Sequence, residues 1–375
     1  MVRLPIAKPD EIHLDANRLE QAYLRLERWC SGPDAPIPGG AIAVGRHGKL
    51  LEPRFFGRQG PEADAGRIRR DSTFLLASIS KPVTCLAAMM LVERGLLNLS
   101  DAVVRHIPEF AAHHKEDTRV LHLMTHSSGM PDMLPNNAEL RQQHAPLRTF
   151  INGAIHAQPL FAPGTNFSYQ SMGTLVIAEL VQRLSGLSIR DFLKREIFDP
   201  LQMQATALGS RGLDRERLVR VQIPDYQRGS DFGWNSRYWQ ELGVPWGGMF
   251  SSPADLACIC QLLLNQGQLG DVRLLSPATV AAMTGNQLQV QPDIPESVRR
   301  CRGWGLGWSL NHPGLAGSWG DLLSPATFGH TGATGTMCWI DPQREGFCLL
   351  LTSAIRSRAP WRLVQLSNMI AAAFR

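Results

Sequence analysis

The sequence lacks any long hydrophobic run. Its N-terminus, "MVRLPIAKPDEIHLDANRLE", contains no apolar core of the kind that a secretory signal requires. No stretch reaches the roughly 18 apolar residues of a membrane-spanning helix. We therefore expect a cytoplasmic chain without a signal peptide, a transmembrane segment or a membrane partner. With 375 residues, 44% of them hydrophobic, the chain can bury a large core.

Cysteine pairs with the spacing of a metal site are also missing. The seven cysteines include no Cys-x-x-Cys pair, their number is odd, and most of them lie in apolar runs. Free cysteine behaves as a small buried hydrophobic residue. The pattern predicts reduced core cysteines, with neither a disulfide framework nor a metal site.

Lysine is scarce, because only five of the 38 basic residues are lysine. The arginines are scattered among acidic residues, and a formal net charge of +5 without a basic block argues against a nucleic-acid partner. This scarcity makes each lysine informative. Only Lys81 completes a Ser-x-x-Lys spacing, with Ser78.

Apolar periodicity predicts helices in the middle of the chain and strands towards both ends. The segment "LDANRLEQAYLRLERWC" has the spacing of an amphipathic helix, with Leu19, Tyr23, Leu26 and Trp29 on one face. The segment "AIAVGRHGKLLEPRFFG" reads as a hairpin around a His-Gly turn. The runs "TMCWIDP" and "GFCLLLTSA" read as late strands. We therefore expect an α/β (α+β) protein in which distant chain segments share a sheet capped by helices.

Ser78 and Lys81 have the chemistry of a nucleophile and its base. Three residues apart on a helix, they project to one face, and the helix N-terminus favours negative charge nearby. A serine hydroxyl needs an activating base, and a lysine kept neutral by burial can be that base. The alternative is that Lys81 extends to water or pairs with an acid such as Glu93.

Two further stretches could join this pair. In "PGTNFSYQSMGTLVIAEL", Tyr169 could relay a proton if a Lys81 cation lowered its pKa, or it could simply anchor a turn that Ser171 caps. In "FGHTGATGT", glycines let a strand edge approach a ligand closely, and backbone N–H groups there could bind an oxyanion. Taken alone, that stretch also fits an ordinary turn.

Together these stretches resemble the serine β-lactamases and penicillin-binding proteins, specifically the class C β-lactamase-like superfamily. The three family motifs appear in order as Ser78-Ile-Ser-Lys81, Tyr169-Gln-Ser171 and His330-Thr-Gly332. Three more stretches, "LMTHSSGMPD", "GGMFSSPADLACICQLLLNQG" and "GWGLGW", are similar to family markers. In the first two of these we interpret His126 and the Asp255 helix as structural.

The resemblance implies an antiparallel sheet flanked by helices, formed by residues 1–82 and 238–375. A mainly helical domain over 83–237 is inserted, and the active site lies at the seam. It also implies roles. Ser78 is acylated, Lys81 and Tyr169 handle protons, the N–H groups of Ser78 and Ala333 form the oxyanion hole, and Ser171, His330 and Gly332 bind substrate. No metal or organic cofactor is implied.

Two departures point away from β-lactamase activity. At the position of Ser171, β-lactamases have an asparagine that holds the side-chain amide of the β-lactam. At the position of His330, they have a lysine that pairs with the carboxylate of the β-lactam. Histidine is mostly neutral at pH 7 and becomes charged below about pH 6. The pattern resembles family VIII carboxylesterases and D-amino-acid-specific peptidases. We expect a carboxylesterase acting on small esters, with β-lactams hydrolysed slowly or not at all.

Other functions stay open at this point. A D-amino-acid peptidase, a β-lactamase, or a sensor or structural protein on the same scaffold could carry the same motifs. The complete Ser78, Lys81 and Tyr169 set favours retained chemistry. The expected partner is a small-molecule ester or amide, and the sequence does not determine an oligomeric state.

Overall fold

Eight strands form one sheet through the protein. The structure, a computed structural model, describes residues 3–32, 35–312 and 319–375. All described strands are β1 (Ile6–Ala7), β2 (Gly39–Arg46), β3 (Lys49–Leu51), β4 (Arg54–Gly57), β5 (Phe74–Leu75), β6 (Ala207–Leu208), β7 (Met249–Ser251), β8 (Gln268–Leu269), β9 (Val272–Arg273), β10 (Ser309–Leu310), β11 (Phe328–Gly332), β12 (Thr336–Asp341) and β13 (Gly346–Thr352). The main sheet has the order β1-β3-β2-β13-β12-β11-β10, and β4 pairs with the first half of β2. Apart from the parallel β1–β3 pair, its neighbours are antiparallel.

The helices cover both faces of this sheet and continue into a helical layer. Those described are α1 (Ala16–Trp29), α2 (Ser80–Glu93), α3 (Val120–Met124), α4 (Asn137–Gln142), α5 (Leu147–Ile155), α6 (Met172–Ser185), α7 (Ile189–Leu193), α8 (Arg237–Leu242), α9 (Pro253–Leu264), α10 (Pro277–Thr284), α11 (Glu296–Arg299) and α12 (Trp361–Ala371). The predicted fold class, a sheet flanked by helices, is confirmed.

The sheet divides the core in two because alternate residues of a strand point to opposite faces. In β13, Cys348 and Leu350 pack in the core shared with α1 and α12. Leu349 and Leu351 pack in the larger core that contains α9 and α2. Every residue of β13 is buried, which explains its continuous apolar run.

Two local sequence predictions are confirmed. The β2–β3 hairpin turns at His47 and Gly48, both with positive φ, as a tight hairpin turn requires. Helix α1 begins after Asp15, whose carboxylate accepts hydrogen bonds from two backbone N–H groups, and it buries Leu19, Tyr23 and Leu26 as its spacing predicts.

Helix α2 lies between the sheet and the helical layer. Its residues from Ser80 to Leu91 are all buried, and it packs against α6, which α3 and α5 also contact. The segment from 120 to 198 is mainly helical. The division into 1–82 plus 238–375 and 83–237 stays a prediction.

The described residues contain no single helix long and apolar enough to cross a membrane, although the bent pair Met172–Ser185 and Ile189–Phe198 passes that test when taken together. None of the seven cysteines, all of which lie within the described residues, forms a disulfide, and all except Cys301 are buried.

Two threonine hydroxyls hold the chain before Ser78 against the β11–β12 turn. Thr334 Oγ1 donates to the Leu75 carbonyl and Thr336 Oγ1 to the Leu76 carbonyl, each at 2.8 Å, and both hydroxyls are buried. Because β5 ends at Leu75, these bonds fix the end of β5 relative to the main sheet. They therefore set where Ser78 lies.

We expect Thr336→Val to lower the free energy of unfolding by about 1–3 kcal/mol, because it leaves the buried Leu76 carbonyl without this donor. Urea denaturation measures the loss. Thr284→Val is the matched control, since that hydroxyl donates to the Val280 carbonyl of its own helix. Equal losses in the two variants would show that the Thr336 bond does not fix the Ser78 segment.

Candidate active site

Ser78 lies in a short 3₁₀ turn, Ala77–Ile79, just before α2. The expected helix therefore begins at Ser80, two residues later than the spacing predicts, although a 3₁₀ turn also brings residues i and i+3 together. Ala77 has φ 49°, a left-handed conformation that costs a residue with a Cβ free energy. Ser80 stabilises the turn, because its hydroxyl donates to the Ala77 carbonyl at 2.7 Å and accepts from the Met249 N–H at 3.1 Å.

Lys81 is buried directly beside Ser78. Its side chain is 2% exposed, and Nζ lies 3.1 Å from Ser78 Oγ and 3.1 Å from the Trp246 carbonyl oxygen. Burial lowers the pKa of Lys81 to about 7, although the Asp132 charge partly opposes this shift. The alternative pairing with Glu93 does not occur, because Glu93 accepts a hydrogen bond from the Ser276 N–H.

Tyr169 lies over the lysine. Its ring centroid is 4.6 Å from Lys81 Nζ, and the nearby Ser78 side chain acts to lower the pKa of its hydroxyl. Burial raises the pKa of Tyr169 well above its usual range, so the lowering of this pKa by a Lys81 cation, which the relay was taken to require, does not occur. Desolvation of a phenolate outweighs the favourable contacts. The Tyr169 hydroxyl therefore stays protonated at neutral pH.

Ser171 occupies the residue before α6, but its side chain does not cap the helix. Its hydroxyl instead donates to Asp132 Oδ1 at 2.6 Å. Asp132 lines the same cavity as Ser78, and the sequence analysis did not identify it. The signal was its place at the end of "LMTHSSGMPD", a stretch that the resemblance marked as a whole.

Strand β11 brings the third motif to the serine. Ala333, just after the strand, lines the cavity together with His330 and Ser78. Gly332 packs instead against the chain before Ser78, because a Cβ there would collide with the Leu76 carbonyl and the Thr336 hydroxyl. Glycine at 332 is thus needed for the close approach of the two segments, and its role in substrate binding stays a prediction.

His330 is neutral and presents an acceptor. Its ring is buried, and Nδ1 lies 2.8 Å from the Thr331 carbonyl oxygen. A carbonyl oxygen only accepts, so Nδ1 carries the proton, and Nε2 of the neutral ring is left with a lone pair. Within the described residues Nε2 has no hydrogen-bond partner.

Burial and the nearby Lys81 and Arg356 charges lower the pKa of His330 to about 3. The expectation that His330 becomes charged below about pH 6 is therefore wrong. The sequence showed the residue type but not its burial, which disfavours the imidazolium ion.

The cavity over Ser78 has a volume of 510 Å³ and extends between the sheet and the helical layer. Aromatic side chains form much of its wall: Phe167, Tyr169, Tyr226, Trp234, Trp239, Trp246, Trp304 and Trp319. A cavity that combines an aromatic wall with convergent polar groups is typical of a small-molecule site.

Neither His126 nor Asp255 belongs to the set of Ser78, Lys81 and Tyr169, in line with their interpretation as structural residues. His126 Nδ1 accepts from the Gln170 N–H at 3.3 Å, and its ring contacts Tyr169 with centroids 4.7 Å apart. Asp255 accepts from the Ala205 N–H at 2.8 Å, near the start of α9. No group of three or more potential metal ligands occurs in the part of the chain that the structure describes.

Comparisons with known proteins identify the family to which the chain belongs. The family model "Beta-lactamase" matches residues 16–368, and the chain therefore belongs to this family. Members of the superfamily are serine hydrolases that act on small-molecule esters and amides.

Relatives include a protein named "Putative D-alanyl-D-alanine carboxypeptidase" from Salmonella enteritidis PT4 (strain P125109). It is 25% identical, and the alignment covers 90% of this chain and 83% of that protein. Among solved structures, EstCE1, "a hydrolase with promiscuous acyltransferase activity", has a TM-score of 0.76 at 19% identity, with 96% and 98% of the two chains covered. A family VIII carboxylesterase has a TM-score of 0.74 at 20% identity, with the same coverage. These likenesses show a shared fold.

We expect His330 to stay neutral, with its proton on Nδ1, from pH 5.5 to 8. Selective ¹⁵N-histidine labelling and long-range ¹H–¹⁵N correlation spectra report this directly, and His330→Asn identifies the signal. The Nε2 resonance should keep the shift of an unprotonated nitrogen throughout, since the pKa lies near 3. A transition with a midpoint near pH 6 would contradict the burial argument.

Proposed function

We propose that the protein is a serine carboxylesterase that hydrolyses small, short-chain esters through an acyl-enzyme at Ser78. One observation carries the proposal. Lys81 Nζ lies 3.1 Å from Ser78 Oγ, and burial brings the pKa of that lysine to about 7. A base whose pKa lies near the working pH is present in substantial amounts in its unprotonated form, and it still binds the transferred proton strongly enough to favour the transfer.

In acylation, the neutral Lys81 amine accepts the Ser78 proton along this contact while Oγ attacks the ester carbonyl carbon. The N–H groups of Ser78 and Ala333 are the donors proposed for the developing oxyanion. The C–O bond to the alcohol then breaks. Tyr169, kept protonated by its burial, hands its proton to the leaving alkoxide and regains one from the Lys81 ammonium.

In deacylation, water attacks the acyl carbon with Tyr169 and Lys81 acting in reverse. The carboxylic acid leaves, and Ser78 regains its proton. No group outside Ser78, Lys81, Tyr169 and the two N–H donors is needed to balance this cycle.

The third motif favours an ester over a β-lactam. His330 provides a neutral acceptor where β-lactamases have a cation, so a carboxylate placed there meets a lone pair. Ser171 already donates its hydroxyl to Asp132. The apolar aromatic wall suits a short acyl chain.

Asp132 supports a second candidate, a D-amino-acid-specific peptidase. Its exposed carboxylate lines the cavity and could pair with a substrate ammonium group. The curated relatives named as D-alanyl-D-alanine carboxypeptidases, 25% identical, are in keeping with amide chemistry at this kind of site.

A rate panel separates these functions. We expect multiple turnovers of 4-nitrophenyl butyrate, with a chromogenic cephalosporin and a D-alanyl anilide hydrolysed at least tenfold more slowly. A fluorophosphonate should add one mass equivalent to the peptide that contains Ser78, and Ser78→Ala should abolish both labelling and turnover.

Contrary outcomes are specific. A preference for the anilide would favour the peptidase, and a preference for the cephalosporin a β-lactamase. One stoichiometric burst without turnover would indicate a sensor. Full activity in Ser78→Ala would overturn the assignment of the nucleophile.

A further inference from the structure

His126, on the loop that follows α3, contacts three consecutive residues of the segment that carries Tyr169. Its backbone carbonyl accepts from the Ser168 N–H at 2.9 Å, and its ring Nδ1 accepts from the Gln170 N–H at 3.3 Å. Its ring also contacts the Tyr169 ring, with the two centroids 4.7 Å apart. One residue thus holds the backbone before and after Tyr169 as well as the tyrosine side chain.

The backbone around Tyr169 has no regular structure of its own. Residues 166–170 form neither a helix nor a strand, and α6 begins only at Met172. Such a loop lacks the repeated backbone hydrogen bonds of a helix or a strand, so its groups must find partners elsewhere. Contacts from other segments therefore determine where the Tyr169 ring lies.

The turn that carries His126 is itself tied down by hydroxyl and amide groups. Thr125 Oγ1 and Ser127 Oγ, on either side of the histidine, lie 2.8 Å apart. Gln291 bridges them, because its Oε1 accepts from Ser127 Oγ at 2.7 Å and its Nε2 donates to Thr125 Oγ1 at 3.1 Å. All three side chains are buried. The position of His126 is thus fixed independently of the tyrosine loop.

The imidazole of His126 has the chemistry that this contact requires. A backbone N–H only donates, so Nδ1 is an acceptor and the ring proton is on Nε2. Burial and the nearby Lys81 charge hold the pKa of His126 well below its usual range, so Nδ1 stays an acceptor. Nε2 makes no hydrogen bond to any described residue. An apolar ring would fill the same space but would leave the Gln170 N–H without this acceptor.

We propose that His126 is a positioning residue for Tyr169, which it holds where the tyrosine hydroxyl can deliver its proton to the leaving alkoxide. This inference rests on the proposed function, in which Tyr169 is the acid. His126 is not among the described residues that line the cavity, so it acts through Tyr169 and not on the substrate. A proton donor must lie within hydrogen-bond reach of the leaving oxygen, and a displacement of about 1 Å can cost on the order of a hundredfold in rate.

The test varies the leaving group while the acyl group stays the same. 4-Nitrophenolate is a weak base that leaves without a proton, whereas ethoxide is a strong base that needs one. In His126→Phe we expect kcat/KM to fall roughly a hundredfold for ethyl butyrate but less than about tenfold for 4-nitrophenyl butyrate. His126→Asn, whose carboxamide oxygen can accept the Gln170 N–H, should restore most of the ethyl butyrate activity.

A double variant shows whether the effect passes through the tyrosine. Tyr169→Phe should give the same leaving-group pattern with a larger loss. Adding His126→Phe to it should cost little more than Tyr169→Phe alone, because the group that His126 positions is already absent. Additive losses, or equal losses for the two esters, would overturn the proposal, since His126 would then act only on the fold as a whole.

His122→Phe is the matched control. His122 Nδ1 also accepts a backbone N–H, but from Arg119 at 3.2 Å, just before its own helix α3. Any loss in this variant should be equal for the two esters. A leaving-group effect as large as that of His126→Phe would contradict the proposal, because it would show that any loosening of α3 displaces the tyrosine.

Hydrogen exchange of the Gln170 amide separates this inference from the esterase proposal. Ser128 Oγ donates to Gln170 Oε1 at 2.6 Å, so the loop keeps an anchor in variants of His126. In His126→Phe the exchange should become roughly two- to tenfold faster, the range of a single hydrogen bond, with His126→Asn and His122→Phe close to wild type. Unchanged exchange in His126→Phe would overturn the proposal.

The two readouts together distinguish the possible failures. If both esters are hydrolysed and lose equal activity in His126→Phe, the inference is wrong while the esterase stands. If neither ester is hydrolysed but Gln170 exchange follows the expected pattern, His126 holds the Tyr169 backbone and the esterase proposal fails.

Discussion

The burial of Lys81 beside Ser78 is the constraint on which the rest of the site depends. An ammonium group removed from water loses solvation free energy, and a buried carboxylate partner would normally restore it. Here Nζ has a carbonyl oxygen and a serine hydroxyl as neighbours, with Asp132 acting only from a distance. The lysine is thus held near the point where either protonation state is accessible.

Burial also sets the protonation states of the side chains around Lys81. Tyr169 is held protonated and His330 neutral, because each would lose solvation on becoming charged, and the Lys81 charge further disfavours an imidazolium ion. Of these three side chains, only Lys81 changes its protonation state near neutral pH. In the proposed mechanism these side chains are the base, the acid and a neutral acceptor around one serine.

Strain and close packing hold this arrangement in place. The left-handed Ala77, the two threonine bonds to Leu75 and Leu76, and the glycine at 332 all act on the few residues before Ser78. Strained conformations persist only where the surrounding structure stabilises them, and they concentrate at functional sites. Their positions follow from long-range contacts between segments more than 250 residues apart.

This separation explains what the sequence could predict. The Ser78–Lys81 spacing, the amphipathic α1 and the strands β12 and β13 follow from local patterns, and the order of the motifs predicts the fold. The pKa directions of Tyr169 and His330 depend on burial by distant segments, which a single sequence does not show. Asp132 was missed for the same reason, because an aspartate in a turn carries no local signal.

The pH dependence of Ser78 acylation tests the central claim most directly. Stopped-flow measurement of the nitrophenol burst from pH 5 to 9 should show a rate that rises with a single ionisation near pH 7 and then levels off, because only the neutral amine accepts the proton. Lys81→Arg, whose side chain stays protonated, should lose this rise together with several orders of magnitude in rate. A rate that is independent of pH across this range, or a Lys81→Arg enzyme with wild-type acylation, would contradict the account.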